Sequence, residues 1–349
     1  MIGRTAGWMA VLWLGVALPA AAQHRDADRP TVKVDGVVYA QYGYLFADAA
    51  DDYNAFDLTR AYVNVRGDLG HGLTSRVTSD VYRVADGSLD LRLKYAFATW
   101  RPVAGGVGVT AGLMQTPWVD FEESMWGYRM QGRIALDRNG YLTSSDLGLG
   151  VDGSWNRDAV SVQAGVFNGE GYHDLEGDRR KDAAARASVR LIQTDDPSRT
   201  GGVRLSALGH YGAPTGGGVR SRAAGMLSWK SKLATLAAEY AVTGDREDNP
   251  EDGGAPNLET INGRLVTAFG VLRIPGSRVA LVGRVDVVDP NTDLAGDRAT
   301  RYIGGVSYAV TPNLRVLADV DHVEYEAAAP TPAAEAAATQ GLLQLEILW

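Results

Sequence analysis

The chain ends in Gly341-Leu-Leu-Gln-Leu-Glu-Ile-Leu-Trp349, and this stretch predicts the fold of the whole protein. Its odd positions carry leucine, isoleucine and tryptophan, while its even positions include Gln344 and Glu346. Because successive side chains of a strand point to opposite faces, the spacing predicts one apolar and one polar face. A closed barrel must pair its last strand with its first, whereas the terminal residues of a soluble domain are seldom so ordered. The stretch therefore favours a closed β-barrel over its alternative, the edge strand of a soluble β-sandwich.

The first residues have the pattern of a secretory signal peptide. Arg4 provides a positive charge, residues 6–18 form an apolar run, and Ala20-Ala21-Ala22 gives a small-residue cleavage site. The run is shorter than the ~20 residues that a membrane-spanning helix needs. We therefore expect three segments, which are a signal peptide over 1–22, a polar leader over 23–32 and a single barrel domain over 33–349.

The composition excludes several classes of protein. The 349 residues contain no cysteine, so neither a disulfide framework nor a thiolate zinc site is possible. A net charge of −8 and a pI of about 5.2 argue against a nucleic-acid partner. The chain has 42 glycines and 13 prolines, which suits many strands joined by turns.

Sixteen segments of strand character cover the predicted domain, and an even number is what single-chain bacterial membrane barrels require. We predict strands at 33–47, 56–69, 72–84, 89–102, 107–117, 146–157, 159–168, 182–194, 201–212, 219–230, 232–245, 258–274, 278–289, 300–311, 313–326 and 338–349. The connections between them alternate in length. One set is short; the other is long apart from 85–88, and its longest member is 118–145. This sorting predicts an all-β, transmembrane antiparallel barrel of about 16 strands, with short periplasmic turns and long external loops.

The predicted faces differ in polarity. In 219–230, Val219, Leu227 and Trp229 alternate with Arg220 and Arg222, and in 89–100 we place Leu89, Leu91, Leu93, Tyr95 and Phe97 on the apolar face. Soluble sheets alternate in the same way. The polar faces, however, hold arginine and lysine more densely than a packed interior tolerates. We therefore expect the apolar faces to contact lipid and the charged faces to line water.

Residues 112–153, GLMQTPWVDFEESMWGYRMQGRIALDRNGYLTSSDLGLGVDG, resemble the corresponding region of bacterial general and anion-selective porins. The resemblance extends loosely to the phosphate-selective porin O and P group. The final strand is similar to the last strand of Gram-negative outer-membrane proteins, which ends in an aromatic residue and is recognised by the barrel-assembly machinery. The matching residues are Leu345, Ile347 and Trp349. The resemblance implies an outer-membrane location, contact with membrane lipids and lipopolysaccharide, a homotrimer, and a third external loop folded into the lumen.

The loop 118–145 has the residues for such a constriction. We predict that it supplies opposed charges from Asp120, Glu122, Glu123, Arg129, Arg133 and Arg138. A transverse field of this kind favours polar solutes. We expect Trp118, Phe121, Trp126 and Tyr128 to attach the loop to the wall or to stack on solutes. The alternative is an exposed loop with ordinary solvated charges.

The strand parity also predicts a basic lumen. Its main members are Arg60, Arg92, Lys94, Arg186, Arg190, Arg204, Arg222, Arg264 and Arg284. Because a low-dielectric channel focuses the field of its lining charges, this predicts a weak, phosphate-like anion preference. The alternative is that paired lumen charges cancel.

The predicted function is passive diffusion of small hydrophilic solutes or anions through the membrane, without catalysis, cofactor or metal. Two alternatives remain. An outer-membrane barrel enzyme of lipase or protease type would need a Ser/His or Asp/His pair near the outer rim, for which His210 and His322 are weak candidates. A secreted, soluble glycan-binding β-protein would need a dense apolar interior.

Overall fold

The protein is described by a computed structural model that covers residues 29–46, 52–84, 86–103, 105–172, 174, 177, 179–248, 259–327 and 339–349. The predicted signal peptide and most of the polar leader lie outside these residues. The strands are β1 Thr31–Leu45, β2 Asn54–Asp68, β3 Leu73–Arg83, β4 Leu89–Trp100, β5 Gly108–Gln115, β6 Ser145–Trp155, β7 Val160–Phe167, β8 Asp182–Ile192, β9 Gly202–Gly212, β10 Gly218–Lys230, β11 Ala234–Glu247, β12 Ile261–Arg273, β13 Val279–Asp289, β14 Ala299–Thr311, β15 Leu314–Tyr325 and β16 Thr339–Leu348. Two helices, α1 Val119–Trp126 and α2 Ala135–Arg138, lie between β5 and β6.

The strands form one closed antiparallel barrel in which each pairs with its sequence neighbours and β1 pairs with β16. This confirms the predicted fold class. The closing register runs from Val37 opposite Leu348 to Leu45 opposite Gln340. Beyond it, Gly36 and Trp349 exchange two backbone hydrogen bonds of 2.9 and 3.1 Å. The pairing of the last strand is what removes the open edge from the sheet.

The barrel wall is apolar outside and polar inside. On β9 and β10 the buried residues include Arg204, Ser206, Arg222 and Ser228, whereas Leu205 and Leu227 are each 55% exposed on the outer surface. Similar exposed leucines, valines and aromatic residues occur on all the other strands. Water would penalise so large an apolar surface.

Strand β4 departs from the predicted alternation. In β4 the register shifts between Thr78–Tyr95 and Ser79–Leu93, so that Lys94 is an extra residue, a β-bulge. As a result Tyr95 and the residues after it change face, and Tyr95 is only 3% exposed inside the barrel. Our placement of Tyr95 and Phe97 on the outer apolar face was therefore wrong.

The two ends of the barrel differ. We call the end that carries the short connections the turn end and the opposite end the loop end. The third connection at the loop end, residues 116–144, contains both helices and folds into the barrel; we call it the inserted loop. Among the described residues, neither helix is long and apolar enough to cross a membrane.

We predict that Gly36→Leu weakens barrel closure. A Cβ at residue 36 would overlap the Trp349 indole, so the terminal tryptophan would have to move. Overpacking of this kind costs about 1–3 kcal/mol, and the variant should lose its folded gel mobility at a lower temperature than the native chain. Gly225→Leu is the matched control, because residue 225 faces open space on the outer surface of β10. Equal unfolding temperatures for the two variants would contradict the prediction.

Candidate functional site

The inserted loop is attached to the barrel interior by an apolar cluster. Trp118, Trp126, Ile134 and Leu136 are each at most 1% exposed and pack with inward-facing wall residues that include Leu265, Phe269 and Leu317. The Trp126 and Phe269 rings are 5.4 Å apart between centroids, at 67°. Burial of large aromatic side chains on both sides fixes the loop against β11–β15.

The local sequence explains why α1 forms here. Asp120 and Glu122 place negative charge in the first turn, where it complements the helix dipole. Gly127 ends the helix in a left-handed conformation (φ 69°), and its N–H bonds to the Glu123 carbonyl. The helix therefore occupies a short, defined segment in the middle of the barrel.

Wall side chains hold the inserted loop by its backbone. Each donates a hydrogen bond to a loop carbonyl, and a carbonyl that is shielded from water needs such a partner. The contacts are Arg186 to Pro117 (2.8 Å), Lys230 to Ser124 (3.1 Å), Arg315 to Gly127 (2.7 Å), Gln344 to Met130 (3.0 Å), Arg284 to Arg133 (3.0 Å) and Arg222 to Tyr141 (3.0 Å). Much of the predicted basic lumen thus serves to position the loop.

Three cavities border the inserted loop among the described residues. The loop-end cavity, about 780 Å³, is lined by Arg133, Asp182 and His210 among others. The second, the β5–β8 cavity of about 540 Å³, is bordered by Phe121 and Arg186 at the turn end. The third, the β1–β4 cavity of about 350 Å³, shares Asp120 and Ser124 with the second. A solute that crosses the barrel must therefore pass the loop.

Two cations in the β1–β4 cavity lack ion pairs among the described residues. Lys94 is 6% exposed; its Nζ lies 3.5 Å from the Tyr62 hydroxyl and 4.8 Å from that ring's centroid. Arg76 donates to Asn64 and Thr78 at 2.9 and 3.0 Å. A neutral partner satisfies a donor without cancelling its charge, so both cations contribute to the field in the cavity.

Arg60 and Arg92 share one carboxylate. Their guanidiniums lie 3.0 and 2.9 Å from the same oxygen of Asp80, which is fully buried. Arg92 also lies between two aromatic rings, at 3.8 Å from the Tyr82 centroid and 4.5 Å from that of Tyr172. The strip formed by these residues on β2–β4 carries one positive charge beyond its single carboxylate.

The predicted constriction charges fall into two groups. Asp120, Glu123 and Arg129 line the β1–β4 cavity. Asp120 accepts hydrogen bonds from Tyr95 (2.9 Å) and Gln115, and Glu123 lies 2.7 Å from Arg129. These three residues face the path that a solute would follow.

The remaining loop residues do not share that position. Arg133 borders the loop-end cavity, where Asp137 lies 3.6 Å away. Glu122 and Trp118 are each 1% exposed, and Arg138 lies against Asp286 at 4.0 Å. Burial lowers the pKa of Arg138 to about 9, with further lowering by Arg301 and Arg284. Our placement of Glu122 among the charges facing the solute was therefore wrong, because Glu122 is buried. Arg138 lies between the inserted loop and β13 and is not among the lining residues of these three cavities.

The loop-end cavity is acidic. Its lining includes two guanidiniums, of Arg133 and Arg220, and six carboxyl groups, which belong to Asp137, Asp146, Glu170, Asp174, Asp182 and Glu247. His210 Nε2 lies 2.9 Å from Asp182. This lining contains threonine but, within the part of the chain that the structure describes, no serine. His322, the other candidate histidine, stacks on Tyr302 on the outer surface.

Three predicted lumen bases are placed differently from the rest. Arg264 shares the outer face of β12 with Val266, and it pairs with Asp289 at 2.8 Å. Its assignment to the lumen was wrong, because the parity of β12 puts Leu265 and Thr267 inside. Arg204 is fully buried and donates to Gly201 and Asp158 carbonyls in the turns, whereas Arg190 is partly exposed beside Gly202.

Other residues of the site escaped the sequence analysis. The bulge at Lys94 leaves no signal in the alternation of polar and apolar residues, since lysine and tyrosine each suit either assignment. Glu239 and Gln344 were recognisable as inward-facing but not as contacts of a loop more than 100 residues away. Only the folded register brings these groups together.

Comparison with known proteins identifies the fold alone. No known protein family and no curated protein sequence matches the chain. Among solved structures, an anion-selective porin from Comamonas acidovorans is similar at 13% identity with a TM-score of 0.64, covering 92% of this chain and 100% of that one. OmpT of Vibrio cholerae, in a trimer form, gives 13% and 0.62 with the same coverage. Salmonella typhi OmpF with daunomycin gives 14% and 0.60, covering 91% and 97%.

We predict that Trp126→Ala loosens the inserted loop without opening the barrel. Truncation of a buried tryptophan costs about 3–5 kcal/mol, and here the loss falls on the loop's contact with Phe269. Amide hydrogen exchange over residues 118–138 should accelerate at least about tenfold, while the strands keep their protection. Trp155→Ala, on the outer surface, is the control. Unchanged exchange in the loop would contradict the prediction.

Proposed function

We propose that the chain is an outer-membrane porin through which small hydrophilic solutes diffuse passively. The observation that carries this proposal is the combination of an apolar outer wall with cavities that are lined by charges and divided by an inserted loop. A barrel of this polarity suits lipid outside and water inside. The likeness to porin structures of outer membranes supports the same conclusion.

The orientation and assembly follow from the proposed location. The short connections lie on the periplasmic side and the loop end faces outward, where lipopolysaccharide is a neighbour. Leu345, Ile347 and Trp349 act as the assembly signal in the final strand. A homotrimer is supported by the trimer form of the similar Vibrio cholerae protein.

We predict that deletion of residues 122–136 widens the channel. The deletion removes most of α1 and the start of α2, which separate the cavities, so single-channel conductance should rise at least about twofold. Deletion of residues 292–296, in an outer connection away from the partition, is the control. Equal conductance for the native chain and the 122–136 deletion would contradict the proposed role of the loop.

Weak anion preference is the finer part of the proposal. Arg76 and Lys94, which form no ion pair among the described residues, support it in the β1–β4 cavity. Asp120, Glu123 and Glu346 line the same cavity and oppose it, as does the acidic lining of the loop-end cavity. We give the cations more weight, because the field acts most strongly where the path is narrow and poorly solvated. An anion-selective porin is among the similar structures. Phosphate specificity of the porin O and P kind remains a prediction from the sequence.

We predict that the double variant Arg76→Gln and Lys94→Gln reduces or reverses the anion preference. The reversal potential in a salt gradient should shift towards cations by at least about 5 mV. Arg264→Gln removes one positive charge from the outer surface and should leave the potential unchanged. Cation preference in the native channel would contradict the anion proposal, although not passive diffusion itself.

A further inference from the structure

A carboxyl pair joins the inserted loop to the wall on the side of α1 that is turned away from the cavities. Glu122 is 1% exposed and Glu239, on β11, is 2% exposed. The Trp118 indole N–H lies 3.0 Å from Glu122 Oε2 and 3.1 Å from Glu239 Oε2, so one donor serves both groups. Oε1 of each residue has no hydrogen-bond partner among the described residues.

No cation in the described part of the chain forms an ion pair with either carboxyl. The register neighbours of Glu239 are Met226 on β10 and Thr267 on β12, which are uncharged. The charged groups that act on the pair are Arg284 and Asp286 of β13. These two bond each other at 2.8 Å, and Arg138 of the inserted loop lies 4.0 Å from Asp286.

Two carboxyl groups in one dry site cannot both ionise at modest cost. Burial is the main cause that raises the pKa of Glu122, the negative charge of Glu239 raises it further, and Arg284 opposes the shift. A single proton shared by the pair removes one negative charge and supplies the missing hydrogen bond. Loss of that proton leaves two like charges facing each other in a medium of low dielectric.

We propose that Glu239 is a positioning residue for the inserted loop, and that a proton shared between Glu239 and Glu122 holds α1 against β11. The docked loop binds this proton more tightly than the undocked loop, because the pair loses its burial on release. The stabilisation of docking is therefore fully present below the ordinary pKa of a glutamate and is lost as the pH rises through the raised pKa of Glu122. Only the effect on conduction rests on the proposed porin function.

Single-cysteine labelling tests the docking directly, since the native chain contains no cysteine. Met125 is 2% exposed on the buried face of α1, whereas Ser124 is exposed beside it. The folded variants Met125→Cys and Ser124→Cys are treated with a small methanethiosulfonate reagent between about pH 6 and about pH 10. The labelling rate of Met125→Cys is divided by that of Ser124→Cys, because this ratio removes the effect of thiol ionisation on both rates. We expect this ratio to rise at least about tenfold with pH.

Glu239→Gln is the decisive variant, because its carboxamide donates a hydrogen bond at every pH. In that background the ratio should stay flat and low. Glu123→Gln is the matched control: Glu123 pairs with Arg129 on the cavity side, so the rise should persist. A flat ratio in the native background, or a rise that survives Glu239→Gln, would overturn the proposal. If Glu239→Gln does not fold, Glu122→Gln provides the same hydrogen-bond donor from the loop. If neither variant folds, the pH dependence of the labelling ratio in the native background tests the proposal.

Conductance separates this inference from the proposed function. In planar bilayers the native channel should conduct more at about pH 10 than at about pH 7, and Glu239→Gln should not. A chain that forms no channel at any pH contradicts the porin proposal, while the labelling ratio still tests the shared proton. A conducting chain with a flat labelling ratio contradicts the shared proton alone.

Discussion

The constraint on which the structure depends is the desolvation of a backbone segment inside a barrel. Many residues of the inserted loop are buried inside the barrel, and their carbonyls would destabilise the loop there without hydrogen-bond partners. Arginine, lysine and glutamine side chains of the wall supply those partners at distances of 2.7 to 3.1 Å. Their donors lie on β8, β10, β13, β15 and β16, so the loop is fixed from several directions at once. The shape of the cavities follows from these contacts.

These contacts determine which of the charges inside the barrel can act on a solute. A guanidinium that binds a carbonyl is still a cation, but it is held in one place and covered by the loop. Arg222 and Arg284 are of this kind. Arg76 and Lys94 face a cavity instead, and the inner field therefore depends on fewer residues than a count of lumen arginines suggests. Buried carboxylates such as Asp80 and Asp286 offset most of the rest.

The sequence was sufficient for the fold because the barrel imposes a strict period of two on each strand. Sixteen strands, their inward and outward faces and the position of the inserted loop could all be predicted from this period and from connection length. The period did not place Tyr95 and Phe97 correctly, because the extra residue Lys94 shifts the faces of β4, and it did not place Arg264, which lies on the outer face of β12. The partners of Glu122, Arg138 and Gln344 could not be predicted, because contacts between a loop and a distant wall depend on packing that the period does not encode.

The extra residue in β4 changes the charge inside the barrel without changing the pairing of its strands. With Lys94 omitted, Arg92 and Tyr95 would still point inward and Leu93 outward, in unbroken alternation. The sheet therefore does not require Lys94 for its hydrogen-bonded ladder. A single inserted codon can add an ammonium group to the bore of such a protein while every neighbouring strand keeps its place. Barrels of this kind can acquire new solute preferences through insertions in the wall as well as through substitutions.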